Sequence, residues 1–499
     1  MKRYIVLTAL CLVLAVVILV GWNTAINRTE DQVKQIITIS RGDPSAAQGI
    51  TVKTALIRDR NLLWETTRDV ASDESKTSFS LYSEPRVSYS YEEERFDNLY
   101  FRVCNSERDD DPICHELEKL DKGDDVYHDI TLQDYYDTYP LYLGNFFYNS
   151  EQYLTTESEL TGTAEAFTPL QIPVEPTDKV EMYFHQQGTG AFSRYVSANY
   201  ALLAHRYTPF SQKCDDGILV TVGFAPDAQP KAEWAPDGFG IWKVPGENVY
   251  FKNDMGFDLV KYEIHMDGAQ VVYPLDIEKQ SVLAFQWSGD ERSLLLVTAE
   301  NGGAVLRVLD GTSYQVQSTI SLGTIDTVFE KYEFSLDSGT RTVSETNYEN
   351  VQIHSEPDFT AIAVGAHLAV LIPSESGYQK DFSCDMMTVC DAFDKEKRVY
   401  YWMDDTAAVE KYSEYANLYS PMRVNYFGTF DRFPMAYQNH KLAIAWNEED
   451  LSTHLHVYGP EGVLYAERTE SPLPQQQDAM EYDHCFYQAE KLPKLEWVS

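Results

Sequence analysis

Positive charge is scarce in this sequence: 40 Lys and Arg stand against 78 Asp and Glu in 499 residues, a formal net charge of −38. Lys2 and Arg3 are the only charges before residue 23, so setting them aside leaves −40 on the rest. A nucleic-acid backbone is held by cations that displace its counterions, and no basic run supplies them, which excludes nucleic acid as a partner. Cysteine is scarce as well, at seven, and no CxxC pair occurs, so zinc-ribbon and thioredoxin-type centres lack their spacing. The GxSxG elbow and the phosphate-cradling GxxxxGK[ST] loop are both missing. The paired glycines of "GFGIWK" and "GTGAFS" lack the third glycine of a dinucleotide turn. A metalloprotease helix needs a second His four residues after the first, but Lys119 stands four residues after His115 and its neighbour Glu116. Amphipathic helical periodicity is hard to find beyond short stretches such as "ICHELEKL" and "TAAVEKYSEYANLY".

One long apolar run is present. Residues 5–22 carry no charge and follow Lys2 and Arg3, a length that at about 1.5 Å per residue approaches the hydrocarbon thickness of a bilayer. The run is longer than a signal-peptide core, and Val20, Gly21, Trp22 and Asn23 make a poor cleavage site, so residues 1–22 are expected to be an uncleaved membrane anchor. Cys11 lies in the middle of this run after bulky Leu10 and reads as a buried apolar residue. With the cations on the cytoplasmic side, the protein is expected to be a single-pass protein of the cell membrane with its C-terminal region extracytoplasmic. Residues 23–49 read as a polar linker, with a glycosylation sequon at Asn27. Six cysteines follow, and in an exported region they allow up to three disulfides in fifteen connectivities. The short loops Cys104 to Cys114 and Cys384 to Cys390 demand least of the chain.

From Ile50 onward, short stretches of Val, Ile, Thr, Tyr and Phe alternate with Gly, Asp, Asn and Pro, the grammar of β-hairpins. "ITVKTALIRDRNLLWETTRDV" reads as strand, turn, strand. "LVKYEIHMDGAQVVYPL", "AVLRVLDGTSYQVQSTISL" and "HLHVYGPEGVLYAERTE" repeat the pattern around Gly268, Gly311 and Gly462, and "FSLDSGTRTV" is a looser copy. Continuous apolar runs such as "SLLLV" and "TAIAVGAHLAVLI" predict strands covered on both faces. The fold class is therefore expected to be all-β over residues 50–499.

"QWSGDERSLLLV" has an upstream relative in "EWAPDGFGIWKV", with Trp287 and Trp234 in equivalent places. Both resemble the Trp-Ser-Pro-Asp-Gly turn of TolB-like and WD40-like β-propeller repeats. The resemblance covers residues 234–322 and reaches residues 437–470 weakly. Gly289 stands where the pattern has Pro, and Glu291 where it has Gly. It implies a β-propeller, and at about 50 to 65 residues per blade the chain has room for about seven or eight. Packed β-sandwiches are the other all-β reading.

Candidate chemistry is sparse. His454 and His456 share one strand face and could offer two nitrogens to a metal, with no third ligand identifiable. Asp109, Asp110, Asp111, Asp124 and Asp125 could supply oxygens to Ca²⁺, although their spacing is not that of an EF-hand and a solvated excursion explains them. Tyr135, Tyr136, Tyr139, Tyr142 and Tyr148 could stack on sugars, but strands also use such rings for packing. No residue is nominated as catalytic and no cofactor is expected. The reading that results is a non-enzymatic propeller that binds or scaffolds at the cell surface, its partner an envelope protein, a peptide or a glycan. A surface glycoside hydrolase using paired carboxylates is the alternative, and a divalent-cation-dependent adhesin a third.

Overall fold

The structure, a computed structural model, describes residues 14, 16–18, 21, 36–58, 62–72, 74–81, 94–101, 126–148, 162–184, 207–252, 258–336, 339–375, 377–386, 392–394, 399–401, 433–447, 452–470 and 494–497. Of the expected anchor, residues 14, 16–18 and 21 are helical, and Leu14, Val16, Val17 and Ile18 are exposed. The remainder lies outside the described residues, among which no helix is long and apolar enough to cross a membrane. Both short amphipathic stretches also lie outside them.

The described chain is all-β, as its hairpin grammar predicts, and every sheet is antiparallel. It divides into two compact units, one of residues 1–88, 352–373 and 380–499, the other of residues 89–351 and 374–379.

The first unit holds three larger sheets. One is a meander of β21 (Val351–Ser355), β22 (Thr360–Val364), β23 (His367–Ser374) and β24 (Gly377–Asp385). A second runs β27 (Met435–Gln438), β28 (Lys441–Asn447), β29 (Thr453–Gly459), β30 (Gly462–Glu470), with β1 (Ile36–Gly42) added outside β30. The third runs β2 (Ile50–Arg58), β3 (Leu62–Asp69), β4 (Ser75–Leu81), with β31 (Lys494–Trp497) on the far side of β2. A short pair, β25 (Ala392–Asp394) and β26 (Val399–Tyr401), stands apart.

The second sheet is packed on both faces. Leu442, Ile444 and Trp446 of β28 meet Ala361, Leu368, Val370 and Phe382 of the β21–β24 sheet. The alternate residues Ala443 and Ala445, with Leu455, Val457 and Tyr465, meet Ile50, Val52 and Val70 of the β2–β4 sheet. Side chains alternate across a strand, so a strand covered on both faces must be apolar throughout. Each fully buried Leu, Ile or Val contributes about 1.5–3 kcal/mol against exposure. Both ends of the described β-structure join partners distant in sequence: β1 pairs with β30, and β31 with β2, where Lys53 Nζ meets Glu496 Oε1 at 2.6 Å. Residues 36–42, expected in the polar linker, are thus a strand, because the edge of β30 offers their backbone a ladder.

The second unit is built on β10 (Tyr207–Cys214), β11 (Gly217–Phe224), β12 (Gly240–Lys252), β13 (Asp258–Ile264) and β14 (Gln270–Pro274). "LVKYEIHMDGAQVVYPL" was expected to be a hairpin, but β13 and β14 do not pair with each other. Both pair with the 13-residue β12, β13 along Gly246–Lys252 and β14 along Gly240–Lys243. The change of partner falls at Pro245, which has no N–H to give a ladder. A meander of β15 (Ser281–Trp287), β16 (Ser293–Glu300), β17 (Gly303–Asp310) and β18 (Val316–Thr324) covers one face of this sheet. β5 (Glu94–Phe101), β7 (Leu141–Tyr148) and β8 (Gly162–Ala166) form a three-stranded sheet whose Leu99, Leu143 and nearby Phe167 share that core with Ile218, Trp242, Phe285 and Leu294. β6 (Val126–Thr131) pairs with β9 (Lys179–Phe184), and β19 (Thr327–Leu336) with β20 (Gly339–Tyr348).

The two tryptophan turns differ in what their rings do. Trp234 is buried, its ring 5.7 Å from that of Phe224. Trp287 closes β15, donates its indole N–H to Lys213 O at 2.8 Å, and lies against Gly311, where a Cβ would come within 2.7 Å of the ring. Between Trp287 and β16, Ser288 Oγ donates to Asp290 Oδ1 and accepts the Ser293 N–H, which folds the chain back. Asp310 caps the next turn, its Oδ1 accepting from the backbone N–H groups of Thr312 and Ser313. Gly238 and Glu291, at equivalent positions, both have positive φ, +103° and +59°. A Cβ makes that region costly by roughly 1 kcal/mol. Glu291→Gly is expected to stabilise the protein by about 0.5–1 kcal/mol, read as a rise in denaturation midpoint.

Candidate functional site

The described carboxylates with the least access to water share one device: each accepts a tyrosine hydroxyl. Asp178, fully buried, accepts from Tyr139 Oη and from the Glu175 N–H at 2.6 Å. Glu467 of β30 accepts from Tyr465 Oη at 2.6 Å on the same strand face and pairs with Arg68 of β3. Asp381 of β24, its side chain 5% exposed, accepts from Tyr437 Oη at 2.8 Å. An ionised carboxylate out of water needs such donors. The first two groups are enclosed by packing, but the third opens to solvent through His440.

His440 stands in the two-residue turn between β27 and β28. Asn439 and His440 both have positive φ, +51° and +61°, the pairing of a primed hairpin turn that ordinarily takes Asn-Gly. A side chain in this conformation persists where other contacts hold it. Asp381 Oδ1 lies 2.6 Å from His440 Nδ1. Burial, then Asp381, pushes the Tyr437 hydroxyl up to about 12, so it remains a donor to Oδ2. A carboxylate oxygen can only accept, so the His440 Nδ1–H donates to Asp381, and in the singly protonated tautomer Nε2 carries the lone pair. The His440 side chain is 70% exposed. Phe359 supports Tyr437 from below, ring centroids 5.7 Å apart, and His354 stacks on Phe359 at 5.9 Å.

The result is an orientated imidazole on a surface turn. It can accept a hydrogen bond or a proton at Nε2, and, once protonated, attract an anion. Nucleophilic catalysis would require a hydroxyl or thiol in hydrogen-bonding reach of that nitrogen, and none among the described residues bonds to it.

The residues singled out in the sequence fall elsewhere. His454 and His456 share a face of β29 as expected, but in the core: both are fully buried, with the Trp446 ring stacked on His454 at 5.2 Å and edge-on to His456 at 4.7 Å. Ser452 Oγ lies 3.3 Å from His454 Nε2, and His456 Nδ1 is 2.9 Å from Tyr458 Oη. Burial drives both imidazoles down, His456 to about 3 and His454 well below its usual range. No cluster of three metal-ligating side chains occurs among the described residues. Tyr139 is buried and Tyr135 and Tyr136 pack against the same core, so these rings serve packing. The side chain of Tyr148, and Asp109, Asp110, Asp111, Asp124, Asp125, Cys104, Cys114 and Cys390, lie outside the described residues. Cys214 and Cys384 are free thiols; burial pushes both up, Cys384 to about 11, so neither is a thiolate at neutral pH.

The Asp381 site escapes sequence reasoning because its members lie on two sheets. The one local signal is "QNHK", an Asn-led turn between apolar strands with His where Gly is usual.

No family model and no curated protein matches the chain. Among solved structures it is similar to a protein from Lactobacillus plantarum, at 8% identity and a TM-score of 0.20, over 85% of this chain and 92% of that one. It is also similar to TolB from Acinetobacter baumannii, at 9% identity and TM-score 0.16, over 90% of this chain and 82% of that one. A third is the periplasmic gluconolactonase of Pseudomonas aeruginosa, at 10% identity and TM-score 0.17, over 67% and 94%. Values this low define no family and assign no activity.

Proposed function

We propose that this chain is a membrane-tethered β-propeller that binds a partner at the outer cell surface, with His440 a contact residue. The observation that carries the binding reading is the Asp381–His440 pair: a fixed, solvent-facing imidazole on a turn. Face-to-face packing of antiparallel sheets within each unit, and the pairing of β1 with β30 and β31 with β2, support the propeller, since a ring is commonly closed by strands from both ends of a chain. The apolar run of residues 5–22 and the exposed helical residues within it support the tether. The acidic body suits a partner with hydrogen-bond donors or cationic groups, whether envelope protein, peptide or glycan.

The test is crosslinking and recovery from intact membranes with the natural chain and with His440→Ala. A specific partner recovered with the first and reduced at least tenfold with the second supports the proposal. Recovery of the bait alone, or hydrolysis of a polysaccharide that a single carboxylate change abolishes, would overturn it.

A further inference from the structure

Among the described residues two turns are built from consecutive residues that both have positive φ: Asn301 and Gly302, at +50° and +76°, and Asn439 and His440, at +51° and +61°. The first is the two-residue connection between β16 and β17, closed by Glu300 opposite Gly303. Asn-Gly is what such a primed turn ordinarily takes, and this is the one Asn-Gly pair in the sequence. Both residues are exposed, and a Cβ added at Gly302 would meet nothing within 4 Å. Glu300 and Gly303 form the last rung of the ladder, so the Gly302 N–H at the apex takes no part in it. Gly302 O accepts the Ile325 N–H at 3.2 Å, which ties the turn to the chain leaving β18. In the other turn the residue after the asparagine carries a side chain, and its ring is held on Asp381.

We propose that Asn301 is a site of spontaneous covalent modification, converted by the backbone of Gly302 through a cyclic imide into aspartate and isoaspartate. The Gly302 nitrogen gives its proton to solvent base and bonds to Asn301 Cγ, the bond from Cγ to the side-chain nitrogen breaks, and ammonia leaves. Water then opens the five-membered ring. Cleavage at Cγ yields aspartate, and cleavage at the Asn301 backbone carbonyl yields isoaspartate, in which the main chain runs through the side chain. One water is consumed and one ammonia released, with no change of oxidation state. Glycine favours the attack because no Cβ crowds its nitrogen and its backbone rotates freely. The isoaspartyl form puts one extra backbone atom into a turn that the Glu300–Gly303 rung limits to two residues, and so disturbs the Gly302–Ile325 bond. Either product sets a new carboxylate next to Glu300, whose own already accepts from Arg307 and Gln280.

The experiment incubates the folded full-length chain at mildly alkaline pH in water enriched in heavy oxygen, then maps it by peptide mass with aspartyl and isoaspartyl peptides separated. Heavy oxygen marks every conversion that occurs during the incubation. The expected result is product at Asn301 at least tenfold above that at Asn439, with both isomers present, and at least tenfold less in Gly302→Ala. That variant meets open space but keeps a positive φ, so Asn301→Gln, whose longer side chain cannot close a five-membered ring, is carried beside it. Product at Asn301 no greater than at Asn439 overturns the proposal. So does aspartate without isoaspartate, which means direct hydrolysis with no ring, or heavy oxygen entering position 301 undiminished in Asn301→Gln.

Discussion

Glu467→Gln is expected to lower stability by about 3–5 kcal/mol. Glu467 and Arg68 are almost wholly buried, side chains 1% and 5% exposed, and they bridge β30 to β3 through the core of the first unit. Guanidinium stays charged at every accessible pH, so removing the carboxylate charge leaves a cation in a medium that cannot solvate it. Tyr465 loses an ionised acceptor at the same stroke. Arg68→Met alone is predicted to be costly for the converse reason, while Arg68→Met with Glu467→Leu recovers most of the loss, because the penalty lies in the unpaired charge. Denaturant titration of the full chain and the three variants measures this. A single variant within about 1 kcal/mol of the natural chain would refute the bridge.

Acidification is the second large effect. His454 and His456 are held neutral in the fold, while in the unfolded chain they titrate near 6.5. Between about 6.5 and 3 the unfolded chain therefore binds protons that the folded chain refuses, and stability falls as pH falls. The slope approaches tenfold in the folding equilibrium per pH unit for each histidine, which integrates to about sixteenfold per histidine from pH 6.5 to 5. Arg468, opposite His454 on β30, adds a like charge against protonation, and Glu470 lies 3.3 Å from its Nε. His456→Gln removes one of the two titrations. Melting curves from pH 7.5 to 5 should show a shallower pH dependence for this variant, and identical slopes would refute the account. The window stops above the range where carboxylates titrate.

Much of the fold is legible in residues close together in sequence. Hairpins β2–β3, β17–β18 and β29–β30 follow from apolar runs interrupted by short turns, and Gly238 and Glu291 carry positive φ where the tryptophan-turn resemblance has Gly. Pairings across long separations are not legible. Nothing near β1 announces β30, and nothing in "LVKYEIHMDGAQVVYPL" reveals that its strands share β12, since that depends on Pro245 in a third segment. The same limit applies to the site. Tyr465 and Glu467 could be inferred from their two-residue spacing on a strand, whereas Asp381, Tyr437 and His440 come together only when two sheets stack. His454 and His456 were placed correctly on one face, and the aromatic wall of Trp446 decided that the face points inward.

The bond between β31 and β2 sets a timetable for biosynthesis. β2 leaves the ribosome early and its free edge must wait for a partner made more than 400 residues later, which at about 5–20 residues per second is tens of seconds. Through that interval a strand with Ile50 and Val52 on its inner face lies open to wrong partners, so safe maturation calls for a chaperone that shields an exposed strand rather than one that encloses a finished globule.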